Sequence, residues 1–160
     1  MILRILAKFL ARPTVAKWLV KQAKKRPYIH IPADTADYME RYWLIPESWK
    51  LPFAVRIHII KAADRDRHLH DHPFDFRTFI LSGHYTEERV DGPIYRRRGT
   101  TYKLKATEPH RITGLTASPF EDGVITMFIT GRRKQPWGFY TDKGKTNYED
   151  YRDAEKIGPY

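Results

Sequence analysis

The sequence predicts a mainly β protein whose α-helices are confined to its N-terminal end. From residue 52 onward, runs of β-branched and aromatic residues alternate with turns rich in Gly, Pro and Asp. The clearest run is residues 124–130, which lies between a turn at 121–123 and Gly131. Residues 2–25 instead show the three-to-four spacing of apolar residues that indicates amphipathic helices. Short strands separated by turns are typical of an antiparallel sandwich or barrel.

The chain is expected to form one domain with appended terminal segments. Its 160 residues, 41% of them hydrophobic, are enough for a single sizeable core. Residues 1–45 are interpreted as a basic helical arm that ends in a short helix, capped by Asp34 or Thr35 and extending through Tyr42. Residues 46–141 are assigned to the β-barrel and residues 142–160 to a polar C-terminal tail. With no cysteine, the chain contains no disulfide, thiolate zinc site or cysteine nucleophile.

Positive charge is concentrated at the N-terminal end. Residues 1–33 hold eight of the chain's 29 Lys and Arg residues and none of its 19 Asp and Glu residues. The rest is almost neutral, so nucleic-acid binding by the barrel is not expected. The favoured interpretation of residues 2–25 is two helices packed on the body or on a partner chain. The alternative is a basic amphipathic surface that contacts anionic lipid or a larger assembly.

A histidine-rich stretch lies in the middle of the chain. Three of the seven histidines, His68, His70 and His72, alternate with other residues. On an extended strand alternate side chains share a face, so a strand over residues 68–72 would present all three together. Clustered imidazoles are the usual ligands of a protein-bound transition metal. A metal site is therefore the first functional hypothesis for this stretch.

The spacing around these histidines resembles the two motifs of the cupin superfamily. The first motif corresponds to His70-x-His72-x3-Phe76-x6-Gly83, and Gly99-x10-His110 has the spacing of the second motif's first glycine and histidine. The resemblance covers about residues 53–140 and implies a cupin-type double-stranded β-helix, a jelly-roll barrel. It implies His70, His72 and His110 as the metal ligands. Phe76 replaces the family's glutamate ligand, so the set is similar to that of three-histidine cupins such as the thiol dioxygenases.

Further site residues are expected around this centre. His68 and Asp75 offer an alternative ligand frame with different spacing to the glycine. Fe(II) is the first choice of metal, and Zn(II), Mn(II) or Ni(II) also suit imidazole ligands. Because arginine pairs with carboxylates and phosphates, a small anionic substrate is expected. The residues predicted to bind it are Arg56, His58, Phe76, Tyr85, Arg96 and Arg98.

Three functions are compatible with this pattern. The first is an Fe(II) dioxygenase of a small anionic molecule, and the second is a non-redox cupin that processes sugars or nucleotide-sugars. The third is a non-catalytic scaffold or sensor that docks through the basic N-terminal helices. A homodimer is expected. The sequence shows no secretion signal or transmembrane span, so a cytoplasmic or assembly-associated protein, such as a virion component, is expected.

Overall fold

The structure, a computed structural model, describes residues 1–26, 28–32 and 37–155. Its helices are α1 (Ile2–Leu10), α2 (Pro13–Ala23), a short 3-10 helix (Glu47–Trp49) and α3 (Tyr148–Glu155). The described strands are β1 (Tyr28–Pro32), β2 (Asp37–Ile45), β3 (Ala54–Ile60), β4 (Leu69–His70), β5 (Phe76–Ser82), β6 (His84–Arg89), β7 (Gly92–Arg97), β8 (Thr101–Leu104), β9 (His110–Thr116), β10 (Val124–Thr130), β11 (Gly138–Thr141) and β12 (Gly144–Asn147). Within these described ranges, no helix is long and apolar enough to cross a bilayer.

The strands form two antiparallel sheets of six strands each. The first sheet has the order β1-β2-β3-β10-β5-β8, and the second has the order β12-β11-β4-β9-β6-β7. Strands that are distant in sequence are adjacent in both sheets, as β3 and β10 are in the first. The predicted mainly β fold with N-terminal helices is confirmed.

The central strands of the first sheet, β3, β5 and β10, are buried on both faces. One face carries Ile57 and Ile59 of β3, which pack with the buried side of α2. The other face carries residues of opposite parity, including His58 and Phe128, and looks toward the second sheet. All seven residues of β3 are buried, which explains the nearly continuous apolar run in its sequence. The helices therefore cover one face, and the space between the sheets is available for a site.

Helix α2 belongs to this core. Its buried residues are Ala16, Leu19, Val20 and Ala23. The helix begins at Pro13, a favoured residue for the first helical turn because its missing N–H would have no partner there. Helix α1 contacts the body through Ala7 and Leu10, and its C-cap residue Ala11 is also buried. Both helices thus pack on the body through one side, as the favoured interpretation of residues 2–25 predicted.

Gly83 makes the sharp connection between β5 and β6 possible. Its φ is +74°, a left-handed value that side chains other than glycine rarely adopt. A Cβ atom at this position would lie 2.7 Å from the carbonyl oxygen of Thr116. The closing glycine of the first motif is therefore required by the backbone.

Residues 37–45 correct the sequence prediction, because they form strand β2 where a short helix was expected. Alternation decides the conformation: Met39 packs in the core between the sheets, whereas Tyr42 and Leu44 pack on the helical side. The proposed caps Asp34 and Thr35 lie outside the described residues.

Two other segments also differ from the predictions. The histidine-rich strand expected over residues 68–72 is limited to Leu69–His70. The expected polar tail contains β12, which pairs with β11 at the edge of the second sheet. It also contains α3, whose Tyr151 stacks on Phe139 with ring centroids 3.9 Å apart. Within the described residues, β12 is thus part of the second sheet and α3 packs against it.

Replacing Leu19 by alanine is predicted to destabilise the whole fold. The side chain is buried between α2 and the first sheet, so the free energy of unfolding should fall by about 2–5 kcal/mol. Urea denaturation followed by circular dichroism would measure it. The control is Lys21→Ala, an exposed change on the same helix, which should stay within about 0.5 kcal/mol of the unchanged protein. Equal effects of the two variants would show that α2 is not part of the core.

Candidate metal centre

Three histidines converge between the two sheets. His70 on β4 is paired directly with His110 on β9, and His72 follows β4. One nitrogen from each ring lies within 4.8 Å of the others. The Nε2 atoms of His72 and His110 are 2.8 Å apart. The structure therefore brings together the three residues that the cupin motifs implied as ligands.

A network around Asp71 holds the segment that carries His70 and His72. The backbone N–H of Gly138 donates to Asp71 Oδ1 over 2.8 Å, and Lys145 Nζ contacts Oδ2 at 2.6 Å. Asp71 is completely buried, and its partners lie on β11, on β12 and at Gln135 in the loop before β11. The backbone N–H of His72 donates to the carbonyl oxygen of Ala106 over 3.2 Å. The short strand β4 is therefore fixed by contacts from several later parts of the chain.

A buried glutamate orients His110. Glu87 on β6 is fully buried, and its Oε1 lies 2.6 Å from His110 Nδ1. Because an ionised carboxylate only accepts hydrogen bonds, Nδ1 carries the proton and Nε2 is left for a metal. Arg96 Nε donates to the other carboxylate oxygen of Glu87 over 2.6 Å. This carboxylate–histidine arrangement is a common support of metal-binding imidazoles.

The charge states of these groups favour metal binding at neutral pH. Burial lowers the pKa of His70 to about 4, although the charge of Asp64 opposes the shift. Burial and the neighbouring imidazoles of His110 and His70 lower the pKa of His72 well below its usual value. For Glu87, burial raises the pKa, but the hydrogen bond from His110 and the charge of Arg96 hold it below its usual value. His70 and His72 are therefore neutral and Glu87 is ionised at pH 7.

Phe76 occupies the position beside the histidines where the cupin motif has a glutamate. Its ring centroid lies 4.8 Å from that of His72 and 5.8 Å from that of His110. It also packs on Phe128 at 4.5 Å. The side chain is buried and has no ligand atom. The centre is therefore closed on this side by an apolar wall.

The donor set fits a divalent transition metal. Three neutral imidazoles are suitable ligands for Fe, Zn, Mn or Ni and leave coordination positions open. Nδ1 of His70 is buried and has no hydrogen-bond partner among the residues that the structure describes. A buried polar atom without a partner is costly unless something binds it. The residues present thus meet the chemical requirements of a metal site.

The histidines line a cavity of about 270 Å³ between the sheets. Its wall combines aromatic rings with polar groups from β2 and β3, among them Arg41, Arg56 and His58. Two carboxylates, Asp64 and Asp66, also line it. Asp64 accepts a hydrogen bond from the hydroxyl of Tyr38 and another, over 2.6 Å, from the backbone N–H of Ile112. The carboxylate of Asp64 is thus engaged by the protein itself.

The cavity wall contains two arginines, Arg41 and Arg56, and only Arg56 forms an ion pair with a carboxylate among the described residues. Burial lowers the pKa of Arg41 to about 10, so Arg41 remains a cation at neutral pH. Its Nε donates to the sulfur of Met39 over 3.4 Å, and no ion pair of Arg41 occurs within the described part of the chain. Arg56, in contrast, forms an ion pair with Glu47 at 2.5 Å and lies over the ring of Trp43 at 4.3 Å. The charge of Asp64 partly offsets the effect of burial on the pKa of Arg41, but a partly buried cation without a direct ion pair still favours an anionic ligand.

His58 lies in the same wall as these arginines. Burial, and then the charges of Arg41 and Arg56, lower its pKa well below its usual value, so the ring is neutral. The ring stacks on Phe128 with centroids 4.7 Å apart. Its Nε2 is buried without a partner among the described residues. This nitrogen is therefore available to a molecule in the cavity.

The remaining residues predicted to bind the substrate, Tyr85, Arg96 and Arg98, have three different positions. Tyr85 lines the cavity and shares a 2.6 Å hydrogen bond with Tyr102. Arg96 and Arg98 are not among the described residues that line it: Arg96 contacts Glu87, and Arg98 donates to the carbonyl oxygen of Ala11 over 2.9 Å. These two arginines therefore support the metal centre and anchor α1, respectively.

The alternative ligands lie away from the three-histidine cluster. His68 Nδ1 lies 3.0 Å from the hydroxyl of Tyr151. Asp75 pairs with Lys134 at 2.8 Å and accepts a hydrogen bond from the backbone N–H of Ala106 over 2.9 Å. Neither belongs to the group of converging ligand atoms.

Two residues of the site, Arg41 and Glu87, were not predicted from the sequence. Arg41 was assigned to a helix, which concealed that it shares a sheet face with His58, its direct partner across β2 and β3. Glu87 carries one usable signal: it has the same parity as the cavity-lining Tyr85 on an amphipathic strand. An acidic residue on the inward face of a strand requires a buried partner, and here the partners are His110 and Arg96.

Replacing Glu87 by glutamine is predicted to weaken metal binding about 10–100-fold, because His110 loses the carboxylate that fixes its tautomer. Chelator competition would measure the affinity. The control is Glu88→Gln on the neighbouring position, whose carboxylate pairs with Arg111 instead. Unchanged affinity in a folded Glu87→Gln protein would contradict the orienting role.

Acidification is predicted to destabilise the metal-free protein. The pKa of His70 is lower in the folded state, about 4, than in the unfolded chain, about 6.5, so the unfolded chain binds the proton more readily. The resulting stability is fully present above pH 6.5 and is lost as the pH falls toward 4, by about 3 kcal/mol for this group. Urea denaturation at a series of pH values would measure the loss, and His70→Gln should make the dependence shallower. A pH dependence that His70→Gln leaves unchanged would contradict the assignment.

No protein-family model and no curated protein matches the sequence. Solved structures do match. One of the DMSP lyases RdDddP and RnDddQII aligns with a TM-score of 0.57 and 16% identity, over 81% of this chain and 77% of the lyase. HppE in its Fe(II) form aligns with a TM-score of 0.52 and 14% identity, over 67% of this chain. This chain spans 57% of the length of HppE. A cupin-like protein from Thermotoga maritima aligns with a TM-score of 0.49 and 16% identity, over 72% and 84% of the two chains.

Identities this low concern the fold alone. This chain has two antiparallel sheets, helices on the outer face of one sheet, and three histidines that converge between the sheets. Together with the likeness to the DMSP lyase and HppE structures, these features show that this chain has the cupin fold, with three clustered histidines that could hold a metal ion.

Proposed function

We propose that the protein is a metal-dependent enzyme of a small anionic molecule, and specifically a mononuclear Fe(II) dioxygenase. The observation that carries the proposal is the composition of one small cavity. Three converging imidazoles line it together with the partly buried guanidinium of Arg41, which has no ion pair among the described residues. The first group binds a metal, and the second attracts an anion.

His70, His72 and His110 would hold the metal, and Glu87 would keep His110 in the correct tautomer. When bound, a divalent metal with open positions supplies a Lewis acid and, if it is iron, a redox centre. Fe(II) is supported by the all-imidazole donor set and by the Fe(II) form of HppE among structures with the same fold. Zn(II), Mn(II) and Ni(II) suit the same donors.

The wall opposite the histidines would bind and orient the substrate. Arg41 would pair with a carboxylate or phosphate group, and its protonated state at neutral pH supports this role. The unpartnered Nε2 of His58 would donate or accept one further hydrogen bond. Phe76 contributes no negative charge beside the metal ligands, so an anionic molecule meets less repulsion there than beside a glutamate.

The size of the cavity supports a small substrate. Its volume of about 270 Å³ lies below the range of roughly 300–1,000 Å³ that is typical of sites for drug-sized ligands. The cavity therefore favours a small acid over the substrates of the sugar-processing alternative.

Oxygen uptake tests the reaction class. Protein loaded with Fe(II) should consume O₂ in the presence of a substrate found among small carboxylates, thiol carboxylates and phosphonates, and His110→Ala should abolish uptake through loss of the metal. Elemental analysis should show the metal in the unchanged protein. Less than about a tenth of an equivalent after loading would contradict the metal site itself. Metal binding without O₂ uptake would contradict the dioxygenase and leave a binding or non-redox role.

Substitution of Arg41 tests the anion-binding wall. Arg41→Met should raise the KM or Kd for the anionic substrate about 10–100-fold, because one charge-assisted contact is worth about 1.5–3 kcal/mol. Metal content should not change. Arg132→Met, at an exposed position outside this cavity, is the matched control. If nucleotide-sugars stabilise the metal-free protein and small acids do not stabilise the metal-loaded one, the sugar-processing function replaces this proposal.

A further inference from the structure

Helix α1 shows the reverse of the usual pattern of a surface helix. On its inner side the fully buried residues are the small ones, Ala7 and the C-cap residue Ala11, which are 0% and 4% exposed, and Leu10 packs beside them partly buried. The other large apolar residues point away: Ile2, Ile5 and Phe9 are 79%, 62% and 48% exposed. A helix that only covers a core buries its largest apolar side chains. The outward face of α1 therefore requires another explanation.

The exposed apolar residues form one surface, which we call the α1 face. It consists of Ile2, Leu3, Ile5, Leu6 and Phe9 of α1. Trp18 of the following helix is also 58% exposed. A contiguous group of large apolar side chains on a surface marks a place of interaction. Tryptophan is typical of positions where an apolar interior meets water.

Positive charge borders the α1 face along one side. Arg4, Lys8 and Arg12 are exposed, and they have no ion pair in the part of the chain that the structure describes. Arg4 and Lys8 border a surface depression together with Ile5. The guanidinium of Arg12 lies 5.5 Å from the ring of Phe9. No acidic residue occurs in the first 33 positions of the sequence.

We propose that the α1 face binds the surface of an anionic lipid bilayer, with its apolar residues in the interface and its basic residues on the lipid headgroups. Charge complementarity selects this occupant. A second copy would place the same uncompensated cations opposite each other, whereas an anionic bilayer neutralises them. The geometry is compatible with an active centre, since α1 and α2 cover the face of the first sheet that is opposite to the cavity.

Vesicle sedimentation of the full-length chain tests the proposal. The protein should bind vesicles that contain about 30 mol% phosphatidylglycerol at least about tenfold more tightly than vesicles of phosphatidylcholine alone. Binding should weaken as salt rises from about 0.1 M to about 0.5 M, because the headgroup contacts are screened. No binding to the anionic vesicles would overturn the proposal.

Paired variants separate the apolar and charged contributions. Ile5→Gln and Phe9→Gln should each reduce binding about tenfold, and Arg4→Gln and Lys8→Gln about fivefold each on anionic vesicles only. The matched controls are Val90→Gln for an exposed apolar residue and Arg133→Gln for an exposed basic one, and neither should change binding. Circular dichroism and metal content should be unchanged in all of them. Equal losses in the controls would overturn the proposal.

Sedimentation velocity without lipid distinguishes the other occupant. The protein should show no self-association that depends on Ile5. Concentration-dependent dimers that Ile5→Gln dissociates would assign the α1 face to a second copy and overturn the lipid proposal.

Discussion

The hydrogen bond between Glu87 and His110 connects the fold of this protein to its chemistry. Glu87 is a fully buried carboxylate, and such a group is tolerated only when charged or polar partners surround it. Its partners are a metal-binding imidazole on the next strand and the guanidinium of Arg96, which also lies 3.7 Å from the ring of Tyr102. One carboxylate thus joins strands β6, β7 and β9 and determines which nitrogen of His110 faces the cavity. The second sheet and the metal centre therefore have a common support.

The two-sided burial of the central strands of the first sheet explains the rest of the architecture. Strand β3 presents Ile57 and Ile59 to the helices and His58 to the cavity, so neither face is available to solvent. The N-terminal helices are consequently part of the folded body, although their charge distinguishes them in the sequence. Only α1 combines this structural role with an outward apolar surface. The same sheet thus separates the proposed lipid-binding side of the molecule from its metal-binding side.

The fold class could be predicted because strand alternation is a local property of the sequence. The three histidines could be predicted only through the resemblance to the cupin motifs, since His110 lies 38 positions after His72. The sequence did not reveal Arg41 or the structural role of Arg98. Arg41 depends on whether residues 37–45 form a helix or a strand, and pairing with β3 decides that question. Arg98 and Glu87 acquire their roles from contacts 87 and 23 positions away in sequence, with Ala11 and His110, which no periodicity indicates. His68 had the right parity, but β4 ends too soon for parity to apply.

Because Asp71 is hydrogen-bonded to β11 and β12, the segment around it can reach its final position only after those strands have been synthesised. The segment with His70 and His72 is held by Gly138 and Lys145, which leave the ribosome about 70 residues later. Until then, the nascent chain contains the metal-binding residues without the clamp that positions them. The three-histidine cluster therefore reaches its final geometry only after β11 has paired with β4 and β12 has joined the sheet edge.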